Sequence, residues 1–182
     1  MKKLLITLLS LGLFTVASAQ KLMPEIKAGT NLNTNVYVQG QAFPLLLTLK
    51  SITAPVTLAW AVEGYGEGAF EMSQKAVDGG TETYLGQASM GTTKLKDTET
   101  YGLISKAAYK SLVDTKNFSY NGLKFKTKAV PTAMKIGDKE LDVTHVASED
   151  GKVELWLLNN PALPLIVQSV GLPIDFVVLS FK

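Results

Sequence analysis

Few residues of this chain could perform acid–base chemistry. The only histidine, His145, lies in a Val-Thr-His-Val run, and there is no cysteine. A Ser-His-Asp triad would need this histidine, but no Gly-x-Ser-x-Gly nucleophile motif accompanies it. A zinc site would need carboxylates for its remaining ligands. We therefore interpret His145 as a packed strand residue, and we predict no catalytic residue, no metal site and no cofactor.

Two carboxylates, Glu63 and Glu67, lie in the run Glu63–Gly68, in which every second residue is glycine. Paired carboxylates at a set separation are the machinery of glycosidases, so a carboxylate-dependent hydrolase is a remote alternative. A phosphate-binding loop would need a helix to follow, whereas Ala69–Met72 has the pattern of a strand. The run is therefore predicted to be a turn or bulge between two strands.

The elements that would position these residues are mostly strands. Short apolar or alternating runs, separated by glycine, asparagine and aspartate, are typical of a mainly β domain with an antiparallel sheet. Glycine- or aspartate-containing turns further predict hairpins at Asn121-Gly122, Gly137-Asp138 and Glu149–Gly151. Lys27–Asn35 is either an irregular entry segment or a short polar strand. The predicted strands are Phe43–Lys50, Val56–Val62, Ala69–Val77, Thr83–Gln87, Leu141–Ser148, Val153–Leu158, Leu165–Val170 and Asp175–Phe181.

One segment is predicted to be a helix. Lys106–Val113 is rich in helix formers, and Ser105 precedes it in the position of an N-cap. Ala108 and Leu112 are four residues apart and share a face with Tyr109, so this helix is expected to pack on the sheet.

Two strands carry apolar side chains on both faces, the run Pro44–Leu49 and the run Val153–Leu158. Each face must then be covered by the helix, by a second sheet or by an apolar ligand. If a ligand lies there, the strand faces suggest that its wall includes Leu46, Trp60, Phe70, Trp156 and Leu158.

The N-terminus has the features of an export signal. Lys2 and Lys3 precede an apolar run from Leu4 to Val16, and the small residues Ala17 and Ala19 precede Gln20. This pattern predicts a signal peptide at 1–19 with cleavage before Gln20. One mature domain would then span 20–182, in the periplasm or outside the cell, with no integral membrane segment.

The mature chain carries no net charge that would attract nucleic acid. Lys2 and Lys3 account for the formal net charge of +2, and the sequence contains no arginine. Arginine is the usual bidentate partner of phosphate and guanine, so nucleic-acid binding is not expected.

The segment Val153–Val167 contains a tryptophan strand, a polar loop with proline, Leu163-Pro164-Leu165 and a second strand. It resembles an element of the periplasmic lipoprotein carriers of the LolA/LolB type and of related uncharacterised periplasmic domains, over about the last thirty residues. The resemblance implies a strongly curved antiparallel sheet, an open or half-barrel, with helix packed over an apolar cavity that receives acyl chains in the carriers. Trp156 and Leu163–Leu165 correspond to architectural positions, and the arginine that holds the carriers' lid closed has no counterpart.

These observations predict a non-catalytic exported module that binds a lipid or another apolar or amphiphilic ligand. The alternative is an envelope scaffold that binds a protein partner, with Asp175–Phe181 as an exposed edge strand or a donated one.

Overall fold

The computed structural model describes residues 21–182, and the predicted signal peptide with its cleavage site lies outside them. These described residues are mainly β, with one large sheet, two small two-stranded sheets and two helices. The strands of the large sheet are β1 (Asn31–Val38), β2 (Gln41–Ser51), β3 (Val56–Val62), β4 (Gly66–Met72), β6 (Gly91–Lys94), β8 (Asn117–Tyr120), β9 (Leu123–Thr127), β12 (Val143–Ser148), β13 (Glu154–Leu158), β14 (Ile166–Val170) and β15 (Asp175–Phe181). The small sheets pair β5 (Glu82–Thr83) with β7 (Glu99–Thr100) and β10 (Lys135–Ile136) with β11 (Lys139–Glu140).

The large sheet has eleven strands in the order β6-β4-β3-β2-β1-β15-β14-β13-β12-β9-β8 and does not close into a barrel. Neighbouring strands are antiparallel except β4 and β6, which are parallel. The sheet is therefore mixed: the predicted antiparallel pairing holds for every neighbouring pair except this one. After β4 the chain passes through a helix and a long loop before it forms β6. This crossover carries the chain back along the sheet, so that β6 runs in the same direction as β4.

The C-terminal strand is internal to the sheet, so the prediction that Asp175–Phe181 forms an exposed edge was wrong. β15 pairs with β1 along its length, from Tyr37 opposite Asp175 to Leu32 opposite Phe181. Its other side meets β14 at Gln168 and Val177. β1 is also paired on both sides. It contains the end of Lys27–Asn35, for which the sequence allowed either an irregular segment or a polar strand, and it lies near the centre of the sheet.

The helix predicted from Lys106 is confirmed as α2 (Lys106–Thr115). Ser105 caps it by accepting a hydrogen bond from the Ala108 amide at 3.3 Å, and Tyr109 and Leu112 are buried beneath it. A second helix, α1 (Gln74–Gly79), replaces the end of the predicted strand Ala69–Val77, because the Ser73 hydroxyl accepts the Ala76 amide and begins a helical turn. The prediction of a single helix was therefore wrong.

The turns follow the glycine and asparagine signals. Asn121 and Gly122 both have positive φ between β8 and β9, as a tight hairpin requires. The glycine-rich run is the β3–β4 hairpin predicted from the sequence: Gly64 and Gly66 have positive φ. Gly68 lies so close to β6 that a Cβ would be 2.7 Å from the Gly91 carbonyl oxygen.

Two apolar clusters lie on opposite faces of β13. On one face Trp156 and Leu158 join a cluster with the inner side of β1–β4. On the other face Leu155 and Leu157 pack with α2 and the β8–β9 hairpin. The prediction that this strand is covered on both faces is thus confirmed. For β2 it was wrong: its Leu45, Leu47 and Leu49 side chains are buried, whereas Leu46 and Lys50 on the other face are exposed.

The segment from Glu99 to Ser105 contacts both β4 and the start of β14, which are distant from each other in the strand order. The Tyr101 ring packs against Phe70 of β4, with 4.1 Å between ring centroids and 33° between ring planes. Three residues later in the chain, the Ile104 amide bonds the Pro164 carbonyl, and the Gly102 carbonyl accepts the Ile166 amide at 2.9 Å. Neither helix in residues 21–182 has the length and apolar character needed to cross a membrane.

Candidate functional site

His145 lies buried on β12 in a cluster of hydrogen bonds that uses both ring nitrogens. Its Nδ1 accepts the Thr132 backbone amide at 3.0 Å, so the ring hydrogen must be on Nε2. Nε2 then donates to Oε2 of Glu154 on β13 at 2.7 Å. The other carboxylate oxygen of Glu154 accepts from Lys128 at 2.8 Å. No atom of the imidazole remains to accept or give a proton to a substrate.

Trp156 completes this cluster from the neighbouring strand. Its ring stacks on His145 with 3.9 Å between centroids and an angle of 15° between planes. Its Nε1 donates to the Thr132 carbonyl oxygen at 2.8 Å. Both backbone groups of Thr132 are thus bound by side chains of the sheet, which fixes the segment between β9 and β10 across this face. We refer to His145, Glu154, Lys128, Trp156 and Thr132 as the histidine cluster.

The electrostatics of the histidine cluster favour a neutral imidazole. Burial lowers the pKa of His145, and the nearby Glu154 carboxylate opposes this only in part. The Lys128 ammonium in turn lowers the pKa of Glu154. A proton on Nδ1 would point at the Thr132 N–H, which is itself a donor, so protonation would remove that hydrogen bond.

The carboxylates considered for hydrolysis lie on the surface. Glu63 is in the β3–β4 turn, and Glu67 is on β4 opposite Ala61; both are exposed. Solvation at an exposed hairpin is the ordinary state of such side chains and does not create a general acid. Within residues 21–182, no three His, Asp or Glu side chains come together in a way that could hold a metal ion.

The molecule does contain an apolar cavity, at the end of the inner sheet face where the β1–β2 and β14–β15 turns lie. Its volume is about 90 Å³, several times the ~10–15 Å³ needed for one water molecule. Four aromatic rings contribute to its wall. The lining residues are Val36, Leu45, Leu47, Phe70, Thr83, Tyr84, Leu85, Gly86, Ala88, Tyr101, Gly102, Leu172, Pro173, Ile174 and Phe176.

Backbone pairing places the aromatic wall of the cavity. The Tyr84 amide donates to the Thr100 carbonyl at 2.7 Å, which extends the β5–β7 pairing and carries the Tyr84 ring to Phe70, 5.5 Å between centroids. The Tyr84 hydroxyl then donates to the Gln87 carbonyl. Glycine at 86 lets the hydroxyl end of Tyr84 lie against the backbone, because a Cβ there would be 2.4 Å from the Tyr84 hydroxyl and would displace it. The predicted strand Thr83–Gln87 was therefore mostly wrong: only Thr83 belongs to a strand, the two-residue β5, and Tyr84–Gly86 line the cavity.

The five residues predicted as a ligand wall do not share one surface. Phe70 lines the cavity. Trp60, Trp156 and Leu158 are buried in the same core cluster as Phe70 but do not line the cavity. Leu46 faces outward, because it lies opposite Ala61 whereas its neighbour Leu47 lies opposite Trp60. Ligand contact by these residues stays a prediction.

No family model, curated protein or solved structure matches this chain.

Sequence reasoning missed most of the cavity wall. Tyr84, Tyr101 and Phe176 lie far apart in the chain, and only Phe176 falls in a predicted strand that holds. One sequence signal was available. Gly86 and Gly102 each follow aromatic or apolar residues, and glycine in such a place indicates that backbone and side chain pack closely together.

Proposed function

We propose that this protein is a non-catalytic binding module that holds an apolar or amphiphilic ligand in the cavity beside Phe70. The observation that carries the proposal is the cavity itself, because an apolar concavity with few polar groups is the usual form of a small-molecule site. The histidine cluster offers no comparable opening, since its ring nitrogens are already bonded.

The proposal includes a strongly curved sheet, an open half-barrel around the cavity. Five strands separate β4 from β13 in the sheet, yet Phe70 and Trp156 belong to one buried cluster. The segment Glu99–Ser105 contacts both β4 and the start of β14. Curvature of this kind is what the resemblance to the lipoprotein carriers implies, and that resemblance remains part of the proposal.

The mouth of the cavity supports the same function. The antiparallel order brings the β1–β2, β3–β4 and β14–β15 turns to one end of the sheet, beside the segment 84–90. Large apolar side chains are exposed in or next to all four segments. Exposed apolar patches on the surface of a monomer are normally small, so this grouping indicates a binding surface. The exposed side chains are Tyr37, Val38, Phe43, Tyr65, Leu85, Met90 and Ile174, which we call the apolar rim.

The test is native mass spectrometry of the purified protein, with thermal unfolding in the presence of fatty acids, fatty alcohols and small ring compounds. We expect at least one of these to co-purify or to raise the melting temperature, because a ligand that binds only the folded state stabilises it. An Ala88→Phe variant fills the cavity and should remove the shift. Ala107→Phe is the matched control, because Ala107 is exposed on α2 and does not line the cavity.

Two outcomes would contradict the proposal. One is the absence of any bound species together with an unchanged melting temperature for every probe. The other is a shift that survives in Ala88→Phe, because the ligand would then bind elsewhere.

We further propose that the protein is exported. The basic start, the apolar run and the Ala17 and Ala19 positions before Gln20 support this. Intact-mass analysis of protein from the envelope fraction should give a chain that begins at Gln20, partly as pyroglutamate. A chain that retains Met1 would overturn the proposed location.

An envelope scaffold that binds a protein partner is the second candidate, and the apolar rim is the observation that favours it. A Tyr65→Ser, Met90→Ser variant should then lose a partner that wild-type protein captures, while the melting-temperature shift by small ligands persists. Val113→Ser, Val130→Ser is the control, since both residues are exposed outside the rim. Equal capture by all three proteins would exclude this role for the rim.

A further inference from the structure

The chemistry of the cavity wall restricts the charge of its ligand. None of the lining residues is a lysine, aspartate, glutamate or histidine. A carboxylate or ammonium group placed among these side chains would lose its hydration without gaining an opposite charge, which is strongly unfavourable. The group that enters the cavity is therefore neutral.

The wall also offers hydrogen bonds that the protein does not use. Tyr101 and Thr83 both line the cavity, and their hydroxyl oxygens have no hydrogen-bond partner among residues 21–182. The third hydroxyl of the wall, on Tyr84, is occupied by the Gln87 carbonyl at 3.3 Å. Burial alone raises the pKa of Tyr101, so its hydroxyl stays protonated and can both donate and accept.

Size and shape restrict the ligand further. Phe70, Tyr84 and Tyr101 all line the cavity, and the Phe70 ring lies 5.5 and 4.1 Å from the two tyrosine rings between centroids, so one part of the wall is aromatic. Ring ligands gain from contact with aromatic side chains beyond their apolar burial. A volume of about 90 Å³ is closer to the ~150 Å³ apolar cavity that holds one benzene than to the ~300–1,000 Å³ of drug-sized sites.

We propose that the cavity takes a small neutral ligand with a single ring and one hydrogen-bonding group, of the class of simple phenols and aromatic alcohols. The ring packs against Phe70 and the tyrosines, and the polar group bonds the Tyr101 hydroxyl. This inference rests on the proposed function and specifies its ligand class.

The experiment compares three ligands that differ in one substituent, 4-methylphenol, toluene and 4-methylbenzoate, titrated into the folded protein by NMR. We expect 4-methylphenol to bind most tightly, toluene more weakly and 4-methylbenzoate not at all. Tyr101→Phe should weaken 4-methylphenol about three- to tenfold, which corresponds to one neutral hydrogen bond. The same variant should leave toluene unchanged, a result that a merely disrupted cavity would not give.

Binding of 4-methylbenzoate as tight as that of 4-methylphenol would overturn the inference, as would an unchanged 4-methylphenol affinity in Tyr101→Phe. A long-chain alcohol that binds wild type but not Ala88→Phe, with none of the three ring ligands binding, would refute the ligand class and leave the proposed function standing. If no probe binds in a way that Ala88→Phe abolishes, both fail.

Discussion

The histidine cluster and the cavity differ in how they use polar atoms. In the cluster, the His145 imidazole and the Glu154 carboxylate are groups that could act as acid or base. Both are hydrogen-bonded within the protein, as are the backbone groups of Thr132. The cavity is lined by apolar, aromatic and hydroxyl side chains without charge, yet the Tyr101 and Thr83 hydroxyls have no hydrogen-bond partner among the described residues. Saturated polar groups stabilise a fold, whereas unsaturated ones beside a concavity are available to a ligand. The candidate site is thus recognised by hydroxyl groups that are free to bond a ligand, and not by residues of reactive type.

The largest expected effect on stability comes from disruption of the histidine cluster. His145→Ala removes the acceptor of the Thr132 amide, leaves Glu154 without one donor and opens a void beside Trp156. We expect urea unfolding to show a loss of about 2–4 kcal/mol in the free energy of unfolding. A loss below about 0.5 kcal/mol would show that the cluster does not stabilise the fold.

The two buried tryptophans provide a matched pair. Trp156 Nε1 donates to the Thr132 carbonyl, whereas Trp60 Nε1 is buried without a partner among the described residues. Replacement by phenylalanine removes a used donor at 156 and an unused one at 60. Trp156→Phe should therefore cost about 1–3 kcal/mol more than Trp60→Phe, measured by urea unfolding. Equal costs would mean that satisfaction of the indole N–H contributes little here.

The pH dependence of stability tests the neutral state of His145. The folded state lowers its pKa below the ordinary 6.5, so the unfolded chain binds more protons as the pH falls from that value. Stability present above pH 6.5 is therefore lost on acidification towards the folded pKa, with a slope of at most about 1.4 kcal/mol per pH unit for one proton.

His145→Gln should lack this slope, because His145 is the only histidine. Glu149, Asp150 and Glu154 have lowered pKa values and lose their contribution only below their ordinary values of 4.5 and 3.8, so their effect is separate. Free energies of unfolding measured from pH 8 to 5 provide the check. A rise in wild-type stability on acidification would contradict the assigned hydrogen bonds.

The smallest effect is expected in the cavity wall. Tyr101→Phe and Thr83→Val each remove a hydroxyl that no described residue bonds, so the free energy of unfolding should change by no more than about 0.5 kcal/mol. Thermal and urea unfolding would measure this. A loss above 1 kcal/mol in either variant would show that the hydroxyl has a structural partner and would weaken the contrast between the two regions.

The sequence predicted the elements that depend on local signals. Ser105 before a run of helix formers predicts α2, and Asn121-Gly122 predicts the β8–β9 hairpin, because capping and positive φ are properties of neighbouring residues. Ser73 carried a similar capping signal for α1. It was missed because Ala69–Val77 also fits a strand, and a short apolar run fits both structures.

The candidate site was much less predictable. The chosen wall assumed that Leu46 faces inward with Trp60, but a shift of one residue in register exchanges the two faces of a strand. Register depends on pairing between β2 and β3, which single-strand patterns do not specify. Tyr84 could not be recognised, because its place beside Phe70 depends on pairing between β5 and the distant β7.

By itself the sequence determined a mainly β chain without cysteine or arginine, a single histidine, and the positions of several strands, turns and one helix, because composition and short-range spacing carry that information. Only the tertiary structure decided that β15 is internal, that both nitrogens of His145 are used, and that Tyr84, Tyr101 and Phe176 line one cavity. These facts depend on contacts between residues distant in the chain, and a local pattern does not record which distant partner each residue meets.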